Sequence, residues 1–315
     1  MGFARAALLL ALTVAPTASL AAGARSTGPA DAGLRQAVVR VEVAVDPTSV
    51  GPELAAELAA RRPWTPFEGE LARRLRVGAT GSGFFVNAQG DVVTNAHVVL
   101  SGVRFSRLGI TYAAWDSMTH LLRIIRDVWV TVGDGDGART YLAVPVVIAE
   151  GLDLAVLRVC RPPGDDTTFA ALPVGNSDRL RVGDPVRALG FPEEEFKATS
   201  GQILSLIRGS RVHDDLQYVR RVHPDTGAEI ITLSGTRPGP VGRLQHSART
   251  GHGSSGGPIV DGRGVVVGVA YALLSRGASD VADLGEPSEL NLGIASNALK
   301  RFLRSHAVAY REAAR

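Results

Sequence analysis

The sequence is poor in cysteine, lysine and aromatic residues, and each shortage removes a class of explanation. Cys160 is the sole cysteine, so no disulfide can close within the chain and no Cys-X-X-Cys redox or zinc motif exists. No His-Glu-X-X-His stretch and no Cys/His cluster occurs, so neither a metal nor another cofactor is expected. Lysine occurs only as Lys197 and Lys300, and 34 basic residues face 31 acidic ones for a net charge of +3. The arginines are interspersed with Asp and Glu instead of forming an aromatic-interleaved patch, so a nucleic-acid partner is not expected. The near absence of lysine points to a GC-rich bacterial coding sequence.

What is present is ordinary for a globular chain: 315 residues, 45% of them hydrophobic, and 36 glycines. That length can bury a sizeable core as one large or two medium domains. Residues 1–24 read as a secretory signal. Arg5 precedes the apolar run of residues 6–15, small residues follow, and cleavage fits after Ala21 or Ala24. The run is too short to span a bilayer, so no stable membrane anchor is expected once the signal is removed. Export without disulfides places the burden of stability on the core.

Residues 37–45 (AVVRVEVAV) alternate apolar and polar positions, the period of a half-buried strand. Residues 46–76 break that pattern with four prolines and read as a long loop. Strands are predicted at 84–86 and 91–94 around the turn 87–90, then at 128–132, 141–148 and 154–159. Residues 101–127 interrupt them with a helical pattern carrying Trp115, Met118, Leu121, Leu122 and Ile125 on one face. The Pro/Gly-bearing segment 161–168 is the best domain boundary. It separates residues 25–165 from 166–315. The second part repeats the style, with strands at 185–189, 201–208, 229–233, 259–260, 265–270 and 291–294. It closes on an amphipathic helix over 296–314 with Ser296 as N-cap. Many short, closely spaced strands predict an all-β fold of two similar halves.

The chemistry centres on Gly253-Ser254-Ser255-Gly256-Gly257-Pro258. Glycines there allow a tight loop that presents a serine hydroxyl beside backbone N–H groups, the arrangement acyl transfer needs. His97 directly follows an apolar strand in TNAHVV, and Asp153 stands one residue before the apolar strand 154–159 in GLDLAVL. Each alone has an ordinary surface or turn reading. Together they spell a triad in the order His, Asp, Ser. In it Ser255 attacks, His97 moves the proton, Asp153 orients His97, and the N–H groups of Gly253 and Ser255 form the oxyanion hole. The same stretch also fits Gly-X-Ser-X-Gly of α/β hydrolases, but that family orders its triad Ser, acid, His. Only His306 follows Ser255, and the strand–helix alternation is missing.

The segments TGSGFFV, TNAHVV, DLAVL, ALGFP, GQILS and GSSGGPIV are similar to those of HtrA-like serine proteases of the chymotrypsin fold, and the likeness covers most of residues 37–302. The resemblance implies two six-stranded antiparallel β-barrels with the site in the cleft between them, His97 and Asp153 from the first and Ser255 from the second. It implies an exported, periplasmic or secreted endopeptidase acting on protein or peptide substrates, with a role in envelope protein quality control. Trimers, frequent among relatives, are an expectation of the same kind. About 60 residues follow Ser255 and are used by the last strands and helix, so no PDZ domain is expected.

The insertion 101–127 reads either as a lid or as a surface insertion, and residues 208–243 have no assigned role. Arg249, six residues before Ser255, falls where the resemblance puts the base of the specificity pocket. There it favours an acidic residue before the cut or shrinks the pocket, and Thr250 lines the same pocket. Ser254 stands where trypsin-like zymogens carry the aspartate that pairs with a new N-terminus, so activation by that ion pair is not expected. Two other functions share these features: a catalytically silent protease-fold protein that binds partners or unfolded chains, and a serine esterase.

Overall fold

The computed structural model describes residues 29–45, 78–100, 125–210, 215–222, 229–236, 241–274 and 290–314. The signal 1–24, the loop 46–76 and residues 101–124 of the helical insertion lie outside the described residues. Residues 125–127, assigned above to that insertion, begin a strand instead.

The first half opens on helix α1 (Pro29–Ala37), which the sequence reading did not foresee, and strand β1 (Val38–Val45). In β1 the alternation sends Val39, Val41 and Val43 into one buried cluster, but the strand is not half-buried as expected, since Val38 and Glu42 on its other face are buried as well. There follow β2 (Gly78–Phe85), β3 (Asp91–Thr94), the single turn α2 (Ala96–Val99), β4 (Ile125–Val132), β5 (Arg139–Ala149) and β6 (Leu154–Val159). These strands pair antiparallel in the order β5-β4-β1-β2-β3-β6, and β6 pairs back onto β5. The ring closes with no free edge. Val41, Phe85, Val130, Ile148 and Leu157 fill it.

The second half comprises β7 (Pro185–Gly190), β8 (Lys197–Ser210), β9 (Asp215–Val222), β10 (Glu229–Thr236), β11 (Val241–His246), β12 (Pro258–Asp261), β13 (Val266–Leu274), β14 (Leu290–Ala295) and helix α3 (Ser296–Ser305). Six of these strands close a second barrel in the order β11-β14-β13-β12-β7-β8, around Ile203, Leu244, Ile259 and Val267. The fold is thus two closed six-stranded antiparallel barrels of chymotrypsin type. A third cluster joins them, drawing Phe84, Val93, Val147 and Leu154 from the first and Leu189, Phe191, Val260 and Val269 from the second.

Two expectations for the second half are corrected. The strand expected over 229–233 does not enter the second barrel. It belongs to the hairpin β9–β10, which leaves that barrel between the paired residues Ser210 and Val241 and adds to the first sheet through β5. The register is Val147↔Val219, Ile148↔Tyr218 and Ala149↔Gln217. The physical reason lies in β4, which pairs with β5 only at residues 139–143. Farther along β5 that side would present unpaired backbone groups, and β9 supplies their partners. The second correction concerns the terminal helix, which stops at Ser305 rather than running to 314. Ala307 turns the chain at φ 53°, and the tail returns so that Arg311 N–H reaches Val86 O and Val174 N–H reaches Arg311 O, at 2.8 Å each. Ser296 is the first helical residue rather than the N-cap, its hydroxyl donating to Gly175 O at 3.1 Å. Among the described residues no helix is long and apolar enough to cross a membrane.

Candidate active site

His97 does not sit on a strand end, as its position after the apolar run indicated, but within the single turn α2. Asn95 is extended (φ −82°, ψ 151°), so the chain leaves β3 straight and turns only after it. The Asn95 side-chain amide donates to Asp153 O at 2.8 Å. This bond ties the histidine segment to the turn between β5 and β6. That turn is closed by Asp153 N–H donating to Glu150 O at 3.0 Å, and Asp153 itself adopts φ 57°. Aspartate tolerates this left-handed backbone better than most residues, because its short polar side chain bonds locally.

The carboxylate of Asp153 then meets His97 twice. The His97 backbone N–H donates to Oδ1 at 3.0 Å, and Nδ1 of the ring lies 3.0 Å from Oδ1 and 2.9 Å from Oδ2. A carboxylate can only accept, so a neutral ring carries its proton on Nδ1 and leaves Nε2 as the acceptor. The aspartate side chain is 20% exposed and the histidine side chain 43%. The acid is therefore sheltered while the ring is more open to solvent.

Ser255 comes from the loop between β11 and β12. The carbonyl of Ser255 accepts the Ser82 N–H at 2.8 Å, and the carbonyl of Gly253 accepts the Ser82 hydroxyl at 2.6 Å. Gly253 and Gly256 have φ of 94° and 86°, respectively, which glycine adopts without steric cost. At Gly256 a β-carbon would run into Ser82 O, Thr94 Oγ1 and Asn95 N. The loop therefore packs directly on the residues that precede His97.

Within this loop the N–H groups fall into two sets. Those of Ser254, Gly256 and Gly257 donate to the carbonyls of Gly251, Ala270 and Ser254, at 2.9, 2.8 and 3.0 Å. Those of Gly253 and Ser255 have no acceptor among the described residues. The Ser254 hydroxyl accepts the Gly251 N–H at 3.1 Å and is buried. The two adjacent serines thus differ in kind, one committed to the loop and the other not.

The remaining expected residues are placed differently from one another. Arg249 is exposed, and its carbonyl accepts the Thr199 hydroxyl at 2.6 Å. Thr250 is partly buried, with its hydroxyl and its N–H both on Asn291 Oδ1, at 2.5 and 3.3 Å. Sequence reasoning assigned no role to Ser82, Asn95, Asn291 or His246. A serine between two glycines in β2 and an asparagine two positions before His97 were the available signals. His246 ends β11 fully buried, paired in register with Ile203 and Asn291. Burial holds its imidazole down at about 4, a weaker contact with the Ala248 backbone acting in the opposite direction.

Comparison with known proteins identifies the family. The model of the trypsin-like peptidase domain matches residues 81–269, more than half of the chain. The chain is 31% identical over 193 residues to the magnetosome formation protease MamE of Paramagnetospirillum magneticum, covering 61% of this chain and 20% of that one. It is 28% identical over 215 residues to a probable periplasmic serine endoprotease, DegP-like, of Bartonella henselae, covering 67% and 31%. Over 201 residues it is 28% identical to the putative serine protease HhoA of Synechocystis, covering 64% and 39%. The matched part thus spans from a fifth to two fifths of these relatives. On this evidence the chain belongs to the trypsin-like peptidase family.

Proposed function

We propose that the protein is an exported, HtrA-like serine endopeptidase that works through Ser255, His97 and Asp153. The observation that carries this reading is the double engagement of Asp153 with the ring and backbone of His97, beside a loop that holds Ser255 against the same segment. Ser255 Oγ attacks the scissile carbonyl carbon as its proton passes to His97 Nε2. Asp153, fixed on Nδ1, stabilises the imidazolium so formed. The carbonyl oxygen, now an anion, takes the N–H groups of Gly253 and Ser255, which have no other acceptor among the described residues. His97 gives its proton to the departing amine, the C–N bond breaks, and an ester to Ser255 remains. Water then repeats the sequence on that ester and frees the acid product.

Export is supported by the segment 1–24 and by the likeness to a probable periplasmic DegP-like endoprotease. The substrates would be unfolded proteins of the bacterial envelope. Ser254 lies in the activating aspartate's place with its hydroxyl already used, so no ion pair to a new N-terminus organises the oxyanion hole, and activity does not depend on a native N-terminus. The test is incubation of the mature protein with an intrinsically unfolded protein such as β-casein, beside Ser255→Ala. The wild type should fragment casein and the variant should leave it intact. Wild-type protein that binds casein without cutting it would replace this reading with that of a silent, partner-binding protease fold.

A further inference from the structure

Ser82 lies at the centre of β2, is fully buried and is drawn into four hydrogen bonds. Its N–H donates to Ser255 O at 2.8 Å and its hydroxyl donates to Gly253 O at 2.6 Å. The hydroxyl also accepts the Phe191 N–H at 2.8 Å, from the segment just after β7. Its carbonyl accepts the Thr94 hydroxyl at 2.7 Å, at the end of the strand that leads to His97. One side chain from the first barrel therefore grips the second barrel at two points, while its backbone touches both catalytic segments.

The space around it is kept clear. A β-carbon at Gly190 would lie 2.7 Å from Ser82 Oγ, and one at Gly256 would strike Ser82 O. A buried hydroxyl that both donates and accepts has fixed directions for both bonds. Ser82 thereby sets the plane of the peptide following Gly253 and of the peptide following Ser255. The peptide between those two carries the Ser255 N–H, and the Gly253 N–H belongs to the peptide just before them; neither N–H has an acceptor among the described residues.

Building on the peptidase reading, we propose that Ser82 is a positioning residue for the oxyanion hole. It touches neither substrate nor reacting atoms. By holding the carbonyls of Gly253 and Ser255 it fixes the peptides on either side of the one that carries the Ser255 N–H, and so keeps that N–H aimed at the developing anion. Donors aimed in advance act on the transition state more than on the bound substrate. The loss of such aim therefore appears in kcat and not in KM.

The experiment compares wild type, Ser82→Ala and Ser82→Cys on a peptide substrate, with kcat expressed per titrated active site. Binding of a peptidyl boronate is measured alongside, because its tetrahedral adduct places an oxygen in the hole. Ser82→Ala should lower kcat at least tenfold with KM within about threefold of wild type. The boronate should weaken by the same factor as kcat. Ser82→Cys, which fills the space but donates weakly, should fall between the two. The inference is overturned if folded Ser82→Ala keeps wild-type kcat and boronate affinity, or if its loss of activity only tracks the fraction folded. Should the alanine variant not fold, unchanged kcat and boronate affinity in Ser82→Cys overturn it equally. A wild type without turnover overturns the peptidase reading first, and this inference with it.

Discussion

The two barrels hold their parts of the site by opposite means. The first positions His97 and Asp153 through side-chain bonds, and accepts a non-glycine residue at φ 57° to do so. The second positions Ser255 through backbone bonds and through glycines at φ 94° and 86°. The Asp153 carboxylate accepts from both the backbone and the ring of His97, and its turn tolerates the left-handed backbone that puts it there. A loop whose task is to present N–H groups is shaped mainly by its glycines and backbone bonds, with the hydroxyls of Ser254 and Ser82 pinning it at Gly251 and Gly253. The same function thus draws on strain in one barrel and mainly on glycine in the other.

The largest expected effect separates charge from backbone in the first barrel. Asparagine tolerates the left-handed region as aspartate does, so Asp153→Asn should fold and melt close to wild type. It should lose roughly four orders of magnitude in kcat, because the amide favours the wrong tautomer of His97. A melting point far below wild type would mean that the carboxylate serves the fold more than the chemistry.

Next in size is the test of the glycine loop. Gly256→Ala adds a β-carbon that meets Ser82 O and Thr94 Oγ1 at φ 86°. It should cost at least about 3 kcal/mol in denaturant unfolding. Gly262, with nothing within 4 Å of an added β-carbon, is the control, and its alanine variant should stay within about 0.5 kcal/mol. Equal, small effects at the two positions would remove the packing argument.

The smallest and most gradual effect contrasts the two histidines. His97 is open on one side, whereas His246 is fully buried and held down from 6.5 to about 4 by that burial. A folded state that disfavours protonation keeps its full stability above pH 6.5 and loses it as pH falls toward 4. The loss should reach about 3 kcal/mol at pH 4. Unfolding free energies measured between pH 7 and pH 4 should show this slope, and His246→Leu should flatten it. An unchanged slope in that variant would assign the acid sensitivity to other groups.

The fold and the site were legible to different depths. The β-barrel architecture followed from strand periodicity together with the HtrA resemblance, because β1 and β6 carry nearly unbroken apolar patterns. The register of the hairpin β9–β10 was not legible, since nothing local in residues 215–236 records that β4 leaves half of β5 unpaired. That is a tertiary fact about another strand. The proposed triad residues stood out because each adjoins an apolar strand or a glycine cluster. Ser82 was visible only as part of a quoted motif, because its role depends on Gly253 and Phe191, which are remote in sequence. The end of α3 was misjudged because no glycine or proline follows Ser305 to mark a stop, although the chain turns at Ala307.

The most direct test concerns the choice between two neighbouring serines. Treating the mature protein with a fluorophosphonate and mapping the adduct by tandem mass spectrometry reads which hydroxyl is activated. The account predicts a single adduct on Ser255, abolished in His97→Ala, with Ser254 unmodified because its hydroxyl is buried and engaged by Gly251 N–H. An adduct on Ser254, or folded protein that takes no adduct at all, would contradict it.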